Sequence, residues 1–330
     1  MSAPLPQPRL EASWPAAVDR VTPFCHGSSV LPLPGGDVLA AWFGGSWEAR
    51  TDTGIYLARL VSGQASWSAP EQVVAPQGHA HGNAVLALHP DGTVYLFYFR
   101  SYGSWCDDGR SFYRTSSDLG RSWSAECALG GPAGLLVKNK PCVLGGRFLL
   151  PVYDEVHWRC GLAIGDRHGW TVHTDIGAPD LEVIQGAVVQ AADASLHLLM
   201  RSRSGAVCDS VSTDGGHRWS EAFALEVPNP NSGLDAVSLP GGRFLMVHNP
   251  AREVIFDILD PTARDGRYPL VVSRSDDGGK SWHTVCTLEE GPGEFSYPAA
   301  ALGPDGALHI TYTYQRRGIR YVRIPDPTLL

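Results

Sequence analysis

Lysine- or arginine-rich runs are absent from this chain, and its formal net charge is −8. Without such runs a nucleic-acid surface has little electrostatic support. No stretch approaches the ~18 consecutive apolar residues of a membrane span, so no membrane partner is expected. The opening MSAPLPQPRL has no apolar signal-peptide core. The reading is a cytoplasmic protein, or an exported one whose signal is absent from this chain. The seven cysteines, at positions 25, 106, 127, 142, 160, 208 and 286, show neither CxxC nor His/Cys spacing. That argues against a disulfide framework and a zinc site, and leaves them as small buried residues. No metal and no cofactor is expected.

Glycine and proline are plentiful instead, 37 and 25 of 330 residues. That is too many for a helical bundle, and 43% hydrophobic residues are too many for disorder. Ten Trp against three Met point to repeated aromatic anchors. Three segments share one pattern: Ser116-x-Asp118-x-Gly120-x-x-Trp123, Ser212-x-Asp214-x-Gly216-x-x-Trp219 and Ser275-x-Asp277-x-Gly279-x-x-Trp282. Degenerate copies end at Trp67 and Trp170. A period of about 50 residues built from short strands is a signature of propeller blades. Around the boxes, an apolar strand, a Gly-containing hairpin turn and a second apolar strand recur, as in NAVLALHPDGTVYLFYF and AAALGPDGALHITYTY. There are six such copies. The expected fold is all-β: one six-bladed β-propeller over residues 1–330, with four-stranded blades and Asp-box turns. A segment near Arg9–Trp14 supplies the strand missing from the sixth copy and closes the ring.

Within each box the Asp bonds the backbone of its own turn, Gly permits a left-handed conformation, and Trp packs into the blade. The boxes therefore read as staples. Antiparallel alternation puts the starts of first strands and the ends of second strands on the opposite face. There stand His26, His81, Asn83, Lys138–Asn139–Lys140, Gln185, Asn231, Asp235 and Tyr297, with Glu48, Arg50, Asp52, Arg100, Asp154, Glu155, Arg201 and Asn249. Polar groups contributed by every blade to one face predict a central pocket.

The Asp boxes, the blade length and the terminal EFSYPAAALGPDGALHITYTY resemble the sialidase (neuraminidase) superfamily, and in particular its sialidase-like Asp-box (BNR) repeat proteins. The resemblance covers essentially the whole chain. It implies Asp52 as acid/base, Tyr297 as nucleophile, and Arg201 and Arg267 as two of three arginines that clamp a substrate carboxylate, with Arg264 as a neighbour of Arg267. His26 stands where the family opens its first blade with the first of the three clamp arginines. Gln185 stands where the family has the Glu that activates the Tyr. A carboxamide takes no proton from a phenol, so either Glu155 or Glu182 supplies that carboxylate or the mechanism differs from the family's. His26, Glu48, Arg50, Asn83, Lys140, Gln185, Asp235 and the two arginines are the expected substrate-binding set.

The leading expectation is an exo-acting glycoside hydrolase for a terminal, acidic sugar of a glycan. A neutral phenol nucleophile avoids repulsion from a sugar carboxylate. Two alternatives stand beside it. A polysaccharide lyase for uronate-containing glycans needs a base and a neutralising cation, for which His26, His79, His81, Tyr297 and Lys140 are available. A non-catalytic glycan-binding propeller needs only the pocket.

Overall fold

The computed structural model describes residues 10–103, 106–251 and 267–330, and among them it is all β-structure apart from one 3-10 turn at Pro327–Leu329. Strands form successive antiparallel meanders in chain order. The first comprises Phe24–Pro32, Val38–Gly45, Gly54–Leu60 and Glu71–Val74. The second comprises His81–Leu88, Val94–Arg100, Arg110–Ser116 and Cys127–Ala128, and one bridge, Leu135 to Arg110, links it to the next. That third run has an interrupted first strand, Leu135–Val137 then Cys142–Leu144, followed by Arg147–Asp154, Arg159–Asp166 and Gly169–Ile176. Val183–Gln190 to Phe223–Pro228 and Asp235–Ser238 to His283–Glu289 form further runs. In the last, Phe295–Leu302, Leu308–Tyr314 and Gly318–Ile324 are joined by the early strand Glu11–Ala16, which pairs with Gly318–Ile324.

Hairpin chemistry recurs because glycine recurs at one position. In the turns Leu33–Asp37, His89–Thr93 and Gly303–Ala307, the fourth residue is a left-handed glycine whose N–H bonds the first carbonyl. This is the type I turn closed by a glycine bulge. Burial then grades across each run. Phe24–Pro32 and Val38–Gly45 are almost wholly buried, whereas the last strand, Glu71–Val74, is largely exposed. Inner strands covered on both faces explain the near-continuous apolar runs of the sequence.

Apolar clusters lie between neighbouring meanders. Leu39, Phe43 and Ile55 of the first run pack with Leu86, Leu96 and Tyr98 of the second. The last run packs on the first through Val30, Val38, Ala299, Ala301 and Tyr321. Cys25, Cys160, Cys208 and Cys286 are buried and unbonded to one another, while Cys127 is exposed. No described helix is long and apolar enough to cross a membrane.

The Asp boxes join third strands to fourth strands. Asp118 Oδ1 accepts the N–H groups of Arg121 (3.0 Å) and Ser122 (2.8 Å), and Ser116 Oγ accepts that of Gly120 (2.7 Å). The side-chain hydrogen bond from Ser281 holds the Asp277 carboxyl at about 2. The third box docks on the preceding meander, for a side chain on Gly279 would meet Phe244 and His197. Trp282 stacks on Phe244 and donates Nε1–H to Gly279 O at 2.9 Å. Because Trp282 is half-buried, Trp282→Ala should cost about 2–3 kcal/mol, below the roughly 3–5 of a fully buried aromatic. The urea midpoint checks this, and an unchanged midpoint would show that the box is no staple.

Candidate active site

Four of the first strands begin with the same irregularity. Register shifts occur between His26 and Ser29, Gly82 and Val85, Ile184 and Ala187, and Ser296 and Ala299. At each shift one residue is left-handed: Gly27 (φ 58°), Asn83 (48°), Gln185 (56°) and Tyr297 (50°). A bulge bends its strand and re-aims side chains, and a left-handed non-glycine residue costs on the order of 1–3 kcal/mol. At position 27 only glycine fits, since a Cβ there would lie 2.5 Å from the Phe43 ring.

The re-aimed side chains meet. Arg201 Nη1 donates to Tyr297 Oη at 3.0 Å and to Gln185 Oε1 at 3.1 Å. Gln185 Nε2 lies 3.5 Å from Tyr297 Oη and donates to Tyr153 Oη at 3.2 Å. Asn83 Nδ2 donates to the same Tyr153 oxygen at 2.9 Å. Three cations surround the Tyr297 ring, Arg267 at 5.4 Å, Lys138 at 5.7 Å and Arg201 at 5.8 Å from its centroid. Such contacts add attraction between cation and ring face. Lys138 donates to Asn139 Oδ1, Pro298 O and Leu234 O, and burial brings its ammonium down to about 7.

His26 lies against Tyr297, with ring centroids 4.3 Å apart, and its Nδ1 meets Thr313 Oγ1 at 2.9 Å. Burial, reinforced by Arg316, Arg267, Lys138 and Arg201, holds it well below 6.5. It is therefore a neutral imidazole at neutral pH. A buried ion chain runs behind it. Arg267 Nη1 meets Glu294 Oε1 at 3.3 Å, Glu294 Oε2 accepts Arg316 Nε at 2.7 Å, and Arg316 reaches Glu48. Burial alone would raise the Glu294 carboxyl, but Arg316 and Arg267 hold it below its usual range.

The other sequence candidates are distributed around this centre. Asp52 is exposed on the turn after Val38–Gly45, where it accepts Ser46 N (3.1 Å) and Ser46 Oγ (3.0 Å); Arg50 is exposed on the same turn. Glu155 is half-buried just beyond Tyr153. Burial raises its carboxyl, against the opposing pull of Arg201 and Arg203. Glu182 pairs with Arg203 at 2.7 Å, both half-exposed, and Arg203 lies over Trp158. Lys140 is bonded to both oxygens of Asp235 (2.8 and 2.9 Å) and to Ala236 O, while Asp235 also accepts Ala300 N. That ion pair ties strands together, and it is Lys138 that faces Tyr297. His81 is engaged by Thr53 O and Arg100, while His79 packs on Tyr102. Among the described residues no group of three His, Cys, Asp or Glu side chains fits a metal. Arg264 lies outside the described residues.

His26, Gln185, Arg201, Arg267 and Tyr297 thus come together, with Asn83 joined through Tyr153 and Glu48 through Arg316. Sequence reasoning did not single out Tyr153, Thr313, Glu294 or Arg316. Their alternation carried no mark, for Tyr153 reads as a core aromatic. Among the described residues, His26 Nε2, Arg201 Nε and Glu155 Oε2 are buried without a hydrogen-bond partner. A cavity of about 870 Å3 opens elsewhere, at the hairpin ends of the first and last meanders. Its charged side chains, Glu11, Asp305 and Arg323, are paired with one another.

Residues 36–310 match the model of the BNR repeat-like domain family. An anhydrosialidase of Macrobdella decora is 24% identical over 227 residues, which span 60% of this chain and 29% of that relative's length. A Hadza microbial sialidase superposes with a TM-score of 0.77 at 16% identity, covering 94% of this chain and 67% of the other. The intramolecular trans-sialidase from Ruminococcus gnavus superposes at 0.72 and 15% identity, over 95% of this chain and 96% of the other.

Proposed function

The chain belongs to the BNR repeat-like domain family, as a sialidase-like member, and from that premise we propose that it is an exo-acting glycoside hydrolase for a terminal, acidic sugar. Its meanders are then six blades of one propeller, and the packing of the last run on the first supports that reading. The observation that carries the function is Tyr297, its oxygen bonded by Arg201 and its ring surrounded by cations at the convergence of the bulged strands.

Tyr297 Oη attacks the anomeric carbon while the bond to the leaving oxygen breaks. Asp52 gives a proton to that oxygen and later takes one from the water that attacks the anomeric carbon, as the bond from carbon to Tyr297 Oη breaks and the phenol regains its proton. Glu155 is the better base for the Tyr297 proton. It is half-buried beside Arg201 and has an unpartnered oxygen, whereas Glu182 is held by Arg203 at the half-exposed rim. Arg201 and Arg267 hold the anionic group.

Neutral His26 lacks the rigid guanidinium fork that suits a carboxylate. Gln185 lacks a carboxylate's basicity. The protein should therefore act slowly or not at all on sialic acid and prefer another acidic sugar. A screen against aryl glycosides and acidic oligosaccharides tests this, with release of a reducing sugar other than sialic acid as the expected result. Cleavage of an aryl sialoside at about 10 per second, the rate of an ordinary enzyme, would overturn the substrate assignment. Tight glycan binding without any turnover would favour the non-catalytic reading, which draws on Gln185.

A further inference from the structure

Asn83 and Gln185 stand on different meanders, both left-handed, and both give an amide N–H to one phenol oxygen, that of Tyr153. A phenylalanine at 153 would fill the same core volume. The left-handed backbone at these two positions aims both amides at that hydroxyl. The Gln185 amide cannot turn over, because Arg201 Nη1 is a donor and must face the carboxamide oxygen. Its nitrogen is thereby directed at the two phenols, Tyr153 on one side and Tyr297 on the other.

From this we infer that Tyr153 is a positioning residue, which acts through Gln185 to hold an N–H donor against the Tyr297 oxygen. With Arg201 and Gln185 both donating, two lone pairs of that oxygen are occupied. The lone pair released when the phenol proton departs is then the one left free of both donors for attack on the anomeric carbon. Gln185 thus works as a donor where a carboxylate would have been a base. The inference rests on Tyr297 as nucleophile only for its kinetic consequence; the clamp itself is a property of the free protein.

Two measurements on the full chain test it. With glutamine side chains labelled in 15N, the Gln185 amide is assigned by its loss in Gln185→Glu, and its exchange with water is followed. Tyr153→Phe should speed that exchange at least tenfold, and Asn83→Gly, which keeps the left-handed backbone, should speed it less. Unchanged exchange in Tyr153→Phe overturns the clamp, whether or not the protein proves to be a hydrolase. On the aryl glycoside turned over fastest in the screen, Tyr153→Phe should lower kcat about tenfold and leave KM within twofold. Tyr95→Phe, a buried phenol bonded to Arg167 N, should leave both unchanged. Faster exchange with unchanged kcat would make Tyr153 a structural residue only and overturn its role. Absence of turnover in the parent protein would count against the hydrolase reading alone, since the exchange result decides the clamp independently.

Discussion

Tyr297→Phe should lower turnover at least about a hundredfold while the protein stays folded. The substitution removes one oxygen and leaves the ring, its contact with His26 and the surrounding cations in place. Arg201 and Gln185 lose a shared acceptor but keep their bond to each other, so the cost falls on chemistry more than on packing. Nucleophilic and acid/base contributions are of this size or larger. Arg201→Ala should instead raise the substrate's dissociation constant, since it removes a cation that grips the anionic group. Steady-state kinetics on the best aryl glycoside, with thermal melting as the folding control, separate the two effects. Full activity in folded Tyr297→Phe would remove the phenol from the mechanism.

Stability should fall steeply between pH 6.5 and pH 5. Burial lowers His81, His248 and His309 each to about 4 in the folded protein, with the Arg100 charge adding to it at His81. In the unfolded chain each titrates near 6.5. Between these values the unfolded state binds more protons, so stability is complete above the unfolded value and is lost as pH drops through the window. Each histidine contributes at most about 1.4 kcal/mol per pH unit, and three together approach roughly 4. Against a total stability of about 5–15 kcal/mol, that loss is large. Aspartates such as Asp91 and Asp277, held at about 2, titrate only at lower pH. Urea midpoints at pH 7.5 and 5.0 measure the slope, and because His26 is held low as well, His248→Gln should remove about a quarter of it. Equal midpoints at the two pH values would refute the burial argument.

What could be read from the chain before folding follows the range of the interactions. The hairpin at His89–Thr93 and the box at Ser116–Trp123 close their hydrogen bonds within a few residues. Their residue types alone dictate those turns. Lys138 and Lys140 show the opposite case. Two residues apart, they would share a face of a regular strand, but the strand is broken between Val137 and Cys142. One lysine then faces Tyr297 and the other is paired with Asp235.

The sequence by itself determined the β-class, the repeat, the turns and the boxes, because strand alternation, left-handed glycine and Asx bonding are local physics. It also marked Arg201, Gln185 and Tyr297 through the face they share. Only the tertiary structure decided which polar groups meet. Arg201 and Tyr297 are 96 positions apart, Lys140 and Asp235 95, and Arg316 and Glu48 268. Such pairs are chosen by the bulges that turn each strand's first side chains and by the packing of one meander on the next. Neither leaves a periodic trace in the chain, since a bulge is one extra residue and a buried partner obeys no spacing.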